Sequence, residues 1–196
     1  VRDTYTEITF TPNYERFGYN ADNNTDMKEV SQLFIARMHM LAAYIGWFSK
    51  SRASIMINGR QLRVKSMKTL AECMFAEQIK KNEVKIIAPS DGVINPSFDG
   101  DEIYPWEFVT AISTTSPFSA KNKDDFCRLS NVNSVVVSSG NHLNKFRNTI
   151  VKQVREKLSE DLKVEMKTIA PSQIYKYIYM FMNSTIPNVR WGGGQT

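Results

Sequence analysis

The chain of 196 residues contains little cysteine and little histidine, only two of each. Cys73 and Cys127 both lie in apolar contexts, which argues against a disulfide framework and favours a reducing compartment. Two cysteines and two histidines without ligand spacing do not form a zinc cluster, so we predict no metal site. The expected location is therefore intracellular, either in the cytoplasm or in a virion.

Long uninterrupted apolar sequence is also missing. The longest apolar stretch is broken by Arg37 and His39, so no segment is predicted to cross a bilayer and no membrane partner is expected. The sequence has no Walker loop and no dinucleotide fingerprint. We therefore predict no catalytic residues and no cofactor, and we favour a protein that is not an enzyme.

Acidic residues are missing from two long stretches, residues 30–71 and residues 166–196. The first stretch contains seven lysines and arginines, whereas several acids gather between Asp91 and Glu107. The net charge of +5 is modest, but its segregation matters because separated charges build a field that mixed charges cancel.

Apolar spacing predicts an α+β fold, because helical and β-type patterns alternate irregularly along the chain. We expect a single compact domain with four or so helices, a β-hairpin and short strands. Helices are predicted from Asn24 to residues 49–51, after a cap at Ser66, and over residues 105–112, 143–162 and 173–182. Strands are predicted over residues 5–10, 84–87, 134–137 and 164–169, with the hairpin turn at Asn58-Gly59.

Three parts of the chain are expected to differ in order. Residues 1–24 are predicted to form an N-terminal strand and arm, and residues 25–182 the α+β core. Residues 183–196 contain Pro187 and the Gly192–Gly194 run, which predicts a flexible C-terminal tail.

The cation-rich hairpin region is the first candidate site. A basic hairpin without nearby acids can lie along a phosphate backbone. The alternative is a solvated hairpin whose cations pair with the acids of residues 91–107. The predicted nucleic-acid-binding residues are Lys50, Arg52, Arg60, Arg63, Lys65, Lys68, Lys145 and Arg147.

The last two of these residues follow the loop Ser138–His142, which joins a predicted strand to a predicted helix. The principal interpretation of this loop is an ordinary turn, with Asn141 or Ser139 as the helix cap. The alternative is that free N–H groups at the helix start hold one backbone phosphate, assisted by His142.

These patterns favour a non-enzymatic protein that binds RNA or DNA through a basic face. Flexible ends around a compact middle suit a self-associating structural subunit, by analogy with viral capsid and nucleocapsid proteins. One alternative is an assembly or scaffold subunit without nucleic-acid binding, whose basic stretch meets the acidic loop of a neighbour. The other is an enzyme with an unrecognised site.

Overall fold

The α+β class is confirmed by a computed structural model, in which helices accompany a mixed β-sheet. The structure describes residues 6–48, 54–89, 93–94, 106–118, 126–187 and 189. The chain divides into two units, Val1–Met38 and His39–Thr196. The division falls inside helix α1 (Asn24–Phe48), whereas the sequence suggested a boundary at residue 24.

The first unit contains a 3-10 turn at Glu15–Phe17 and the start of α1. The side chain of Asn23 accepts a hydrogen bond from the Thr25 amide at 2.9 Å, which explains why the helix begins at Asn24. The predicted strand over residues 5–10 is not formed within the described residues, since Thr6–Phe10 pair with no other strand there.

The second unit confirms the predicted hairpin, formed by β1 (Met56–Ile57) and β2 (Arg60–Gln61). Asn58 and Gly59 have positive φ angles of 49° and 73°, as a tight two-residue turn requires. Two short helices follow, α2 (Met67–Met74) and α3 (Ala76–Lys80).

The predicted cap of α2 is also confirmed. Ser66 Oγ accepts from the Thr69 amide at 3.1 Å, and Thr69 Oγ1 accepts from the Ser66 amide at 3.0 Å. This reciprocal pair is a capping box, which satisfies two backbone donors at the helix start.

A six-stranded sheet forms the centre of the second unit, with the order β3-β5-β8-β6-β7 and with β4 also paired to β5. All pairs are antiparallel except β6 and β8, which run parallel. The strands are β3 (Val84–Ile87), β4 (Val93–Ile94), β5 (Trp106–Ser113), β6 (Cys127–Val132), β7 (Val135–Val137) and β8 (Ile178–Ser184).

Both faces of this sheet are covered by helices. On one face, Phe181 of β8 packs with Met67 and Leu70 of α2. On the other face, Met180 of β8 packs with Leu143 of α4 (Asn141–Leu162), and α5 (Pro171–Tyr175) joins the same cluster. Successive residues of β8 therefore enter opposite cores, as strand alternation requires.

Two predicted helices are wrong. Residues 105–112 were expected to be helical, but Trp106–Ser113 is the central strand β5; most of helix 173–182 is replaced by β8, and only the first residues remain in α5. Both strands are buried on both faces, so they show continuous apolar sequence instead of alternation. Periodicity alone does not distinguish such a strand from a buried helix.

Three smaller differences concern which residues form strands and where the predicted tail begins. Residues 164–169 form a 3-10 turn at Met166–Thr168 instead of a strand, and β6 was not predicted at all. Asn183 and Ser184, which were assigned to the predicted tail, are buried in β8 and belong to the sheet. Among the described residues, no helix is long and apolar enough to span a membrane.

Candidate functional site

The predicted hairpin cations occupy different positions around α2. Arg60 lies in β2 and Arg63 lies just beyond it, and both side chains are exposed. Lys65 is half-buried beside the helix cap, while Lys68 lies on α2 itself. Lys68 pairs with Glu72 at 4.0 Å, whereas Arg60, Arg63 and Lys65 make no ion pair within the described part of the chain. Lys50 and Arg52 lie outside the described residues.

Lys145 and Arg147 belong to α4, which covers the opposite face of the sheet from α2. Lys145 is exposed, but Arg147 is half-buried, and its guanidinium lies over the Phe126 ring at 5.4 Å and the Tyr175 ring at 5.9 Å. The described cations therefore form two separate groups instead of one basic face, and Arg147 has a packing role.

The loop Ser138–His142 is a turn from β7 into α4, as its principal interpretation predicted. The predicted side-chain cap is wrong, however. Gly140 is the cap residue, no side chain caps the helix, and Asn141 is already its first helical residue. The φ of Gly140, 153°, lies in a region that other residues rarely adopt, which explains why the cap position is occupied by a glycine.

His142 is turned towards the sheet. Its Nε2 lies 3.4 Å from Ser130 Oγ, and its ring meets Trp106 edge-on at 6.4 Å between centroids. Burial lowers the pKa of His142 below its usual value, which favours the neutral imidazole at pH 7. This position removes His142 from the proposed phosphate contact.

We expect Gly140→Ala to lower the free energy of unfolding by about 1–3 kcal/mol. A Cβ at this position would lie 2.6 Å from Cε1 of the His142 ring, and the positive φ would add strain. Urea denaturation measures the effect. Gly18→Ala is the control, because Gly18 also has positive φ but a Cβ there would meet nothing within 4 Å. Equal losses in both variants would contradict a role for the contact between Gly140 and His142.

A buried row of polar side chains crosses the three central strands. Glu107 of β5, Asn183 of β8 and Asn131 of β6 lie directly beside one another in the strand register. Asn183 Nδ2 donates to Glu107 Oε2 at 2.9 Å, and Asn131 Nδ2 donates to Asn183 Oδ1 at 3.0 Å. Glu107 is only 3% exposed, and both asparagines are fully buried.

The carboxylate of Glu107 also accepts hydrogen bonds from the first backbone amides of α2. Its Oε1 accepts from the Met67 amide at 2.7 Å and from the Lys68 amide at 3.4 Å. A carboxylate at this position satisfies free backbone donors and complements the helix dipole. The row therefore fastens α2 to the centre of the sheet.

Burial raises the pKa of Glu107 from 4.5 to about 7, although the hydrogen bonds from Met67, Asn183 and Lys68 act in the opposite direction. The group can therefore exchange a proton near neutral pH. Asn131 Oδ1 has no hydrogen-bond partner among the described residues, so the row ends with a spare acceptor. Because all three side chains of the row are buried, their hydrogen bonds have a structural role, which is to hold α2 against the sheet.

Sequence patterns alone do not predict this row. They place Glu107 among the acids of residues 91–107 and Asn183 in the predicted C-terminal tail. The available signal is one carboxylate between Trp106 and Phe108, inside a run to Ile112 in which Thr110 is the other polar residue. A charged residue in such a run is either exposed by a turn or buried with partners.

Sequence comparison relates nearly the whole chain to type II topoisomerases. The chain is 27% identical over 189 residues to "DNA topoisomerase 2" of Penicillium chrysogenum, and 27% identical over 190 residues to that of Saccharomyces cerevisiae. Each match covers 94% of this chain but only 10% and 12% of the respective relative. No family model matches the sequence.

Structural comparison finds the fold in a related protein. The chain resembles the crystal structure of the ATPase region of S. cerevisiae topoisomerase II, with a TM-score of 0.52 and 20% sequence identity. The superposition covers 88% of this chain and 35% of the solved one.

These comparisons contradict the functional interpretation drawn from charge. The relatives that match along the chain are DNA-processing enzymes, so a non-enzymatic, viral capsid-like or structural subunit is the wrong class. Segregated charge is a general property that nucleic-acid-binding proteins of many classes share, so it does not distinguish between those classes.

Proposed function

We propose that this chain is part of the ATPase region of an ATP-dependent type II DNA topoisomerase. The single observation that carries the proposal is the sequence match over 94% of the chain to DNA topoisomerase 2. The fold of the ATPase region of S. cerevisiae topoisomerase II, found independently, supports it. DNA is the proposed nucleic-acid partner, in an intracellular and self-associating enzyme, and the similarity to DNA topoisomerase 2 does not support RNA or a virion.

The described residues do not fit a complete nucleotide site. They contain no group of three or more His, Cys, Asp or Glu side chains that could hold a metal ion. In the strand-to-helix turn, the His142 ring occupies the space beside Gly140 that an open phosphate-binding loop would leave free. We therefore assign nucleotide hydrolysis to other parts of the ATPase region. We assign to this chain the role of a supporting module, in which hydrogen bonds hold helix α2 against the sheet.

The direct test uses the full polypeptide that the gene encodes. It should relax supercoiled plasmid DNA when ATP is present and should leave the plasmid supercoiled when ADP replaces ATP. Gel electrophoresis of the plasmid and a phosphate-release assay on the same samples measure the two activities. A polypeptide that neither hydrolyses ATP nor changes plasmid topology would contradict the proposal.

Within this function, the hairpin residues Arg60, Arg63 and Lys65 remain our candidates for contact with DNA phosphates. Arg60 and Arg63 are exposed, and none of the three is neutralised by an ion pair in the described part of the chain. The capping box holds the segment after the hairpin, because Thr69 Oγ1 also accepts from the Lys65 amide at 3.0 Å. The cations are thus presented from a fixed support.

Changing Arg60, Arg63 and Lys65 together to alanine should reduce the slope of log affinity against log salt by about 2.7, since each phosphate contact on duplex DNA contributes about 0.9. Fluorescence anisotropy with a short labelled DNA duplex at several salt concentrations measures the slope.

The matched control changes Lys80, Lys152 and Lys157 to alanine. This variant loses the same charge, but each of these lysines pairs with a glutamate on its own helix. An equal change of slope in both variants would indicate a general charge effect and would refute the hairpin assignment.

A further inference from the structure

The hydrogen bonds of the buried row formed by Glu107, Asn183 and Asn131 all run in one direction. Asn131 Nδ2 donates to Asn183 Oδ1 at 3.0 Å, and Asn183 Nδ2 donates to Glu107 Oε2 at 2.9 Å. An ionised carboxylate accepts and cannot donate, so this direction belongs to the ionised form of Glu107. At the far end of the row, Asn131 Oδ1 is buried and has no hydrogen-bond partner among the described residues.

When Glu107 is protonated, its carboxyl proton has one possible acceptor in the row. Oε1 faces the backbone amides of Met67 and Lys68, at 2.7 and 3.4 Å, and a backbone amide only donates. Oε2 faces Asn183 Nδ2, which also donates. A side-chain amide, however, can turn by about 180° and exchange its donor for its acceptor within nearly the same volume. The proton is therefore satisfied when Asn183 turns and presents Oδ1 to Glu107.

A turn of Asn183 requires a turn of Asn131 as well. If Asn183 turned alone, its Nδ2 would face Asn131 Nδ2, and two donors would meet in a buried place. When Asn131 also turns, its spare Oδ1 accepts from Asn183 Nδ2. The row contains two hydrogen bonds in either direction, and one polar group of Asn131 is left over in either direction. Reversal therefore costs no hydrogen bond within the row.

We propose that this row is a proton-controlled switch, which reverses the hydrogen-bond direction across the three central strands when Glu107 gains or loses a proton. The proton comes from solvent and returns to it, and the O–H bond of the carboxyl group is the only covalent bond that changes. Neighbouring strands are about 4.8 Å apart, so the reversal carries the protonation state of Glu107 about 10 Å, from the start of α2 to β6. The inference is independent of the proposed function, because every member of the row belongs to this chain.

Burial is the condition that places the switch near neutral pH. It raises the pKa of Glu107 from 4.5 to about 7, whereas an exposed carboxyl group is ionised throughout that range. Among the described residues, the titratable groups on this face of the sheet come from α1 after Met38, from α2 and the residue before its cap, and from β6 and β8. They are His39, Tyr44, Lys65, Lys68, Glu72, Cys73, Cys127 and Tyr179. Of these, only Lys68 contacts the Glu107 side chain, through its backbone amide, so no second titrating side chain shares the proton.

Nuclear magnetic resonance of the 196-residue chain, from pH 4.5 to above pH 7, tests the switch. The carboxyl carbon of Glu107 reports its titration. The side-chain amide resonances of Asn183 and Asn131 should shift together with it, at one common midpoint of about pH 7. Nuclear Overhauser contacts should place the Asn183 amide protons beside Glu107 above the midpoint and beside Asn131 below it.

Asn133 is the internal control for these shifts. Its Nδ2 donates to the Ile186 carbonyl at 2.9 Å, and its Oδ1 accepts from the Ile186 amide at 3.0 Å. Backbone groups cannot exchange donor for acceptor, so the Asn133 side-chain resonances should stay in place. His142 lies on the opposite face and titrates below its usual pKa, which separates its effect from the midpoint of the row.

The Glu107→Gln variant should hold the row in the reversed direction at every pH, because glutamine does not titrate and its amide can donate to Asn183. Its Asn183 and Asn131 resonances should stay where the parent chain shows them at low pH. Amide shifts that persist in this variant would overturn the inference. So would a Glu107 carboxyl carbon that does not titrate near pH 7, or asparagine resonances that stay fixed while it titrates. The last two results need only the parent chain, so they are decisive even if the variant does not fold.

Discussion

Glu107→Ala should lower the free energy of unfolding by about 3 kcal/mol at pH 4.5, where burial keeps the folded carboxyl group protonated and the contribution of Glu107 to stability is largest. The substitution leaves the amides of Met67 and Lys68 and the side-chain amide of Asn183 without their acceptor, in a place where Glu107 was 3% exposed. It also empties the volume of the carboxyl group beneath α2. Urea denaturation of the variant and of the parent chain measures the difference.

Glu77→Ala is the matched control for this loss. Glu77 is exposed, and its ion pair with Lys80 at 2.9 Å joins two residues of the same short helix. Such a pair contributes less than about 1 kcal/mol. If the two alanine variants lost equal stability, the buried row would not be what holds α2 to the sheet.

The hydrogen bonds between Glu107 and the start of α2 also affect the proposed DNA contact, because α2 follows the hairpin in the chain. The capping box places Ser66 at the start of the helix, and the hairpin lies immediately before it. Gly46 of α1 allows that segment to pack closely, since a Cβ there would lie 2.6 Å from the Lys65 Cα. The position of the hairpin cations therefore depends on the polar row in the centre of the sheet.

The parts of the fold that the sequence predicted correctly depend on neighbouring residues. The turn at Asn58-Gly59 needs only positive φ at two positions, and the cap at Ser66 needs only a partner three residues later. Both conditions are visible in a few consecutive letters, and the structure confirms both.

The errors depend on distant residues. Strand β6 contains Arg128, Ser130 and Asn131, so it does not resemble an apolar strand. Its polar side chains are accommodated because Asn131 meets Asn183, which is 52 positions away in the chain. No local pattern reveals that register, and the same is true of the partners that bury Glu107.

The functional error has a different origin. Separated charges in a sequence predict an attraction for phosphate, but they are equally compatible with a capsid protein and with a DNA-processing enzyme. The similarity to DNA topoisomerase 2 along nearly the whole chain is what favours the second of these classes. The hairpin cations themselves remain a prediction that the triple-alanine experiment addresses.

The stability of the chain should fall by about 3 kcal/mol between pH 4.5 and pH 7 through Glu107 alone. The folded pKa of about 7 lies above the ordinary value of 4.5, so within this window the folded state keeps a proton that the unfolded state has lost. The contribution is present below pH 4.5, is lost as the pH rises through the window, and is constant above about pH 7. This difference in pKa corresponds to about 3 kcal/mol.

Glu107→Gln isolates this contribution because glutamine does not titrate and keeps an acceptor for the Met67 amide. Its own amide can donate to Asn183 Oδ1 if the side-chain amides of Asn183 and Asn131 both rotate, so that Asn131 Oδ1 accepts from Asn183 Nδ2. We expect the parent chain to lose stability relative to this variant as the pH rises from 4.5 to 7, with urea denaturation as the measurement. A constant difference across that range would show that Glu107 keeps an ordinary pKa, because every other titrating group is common to both chains.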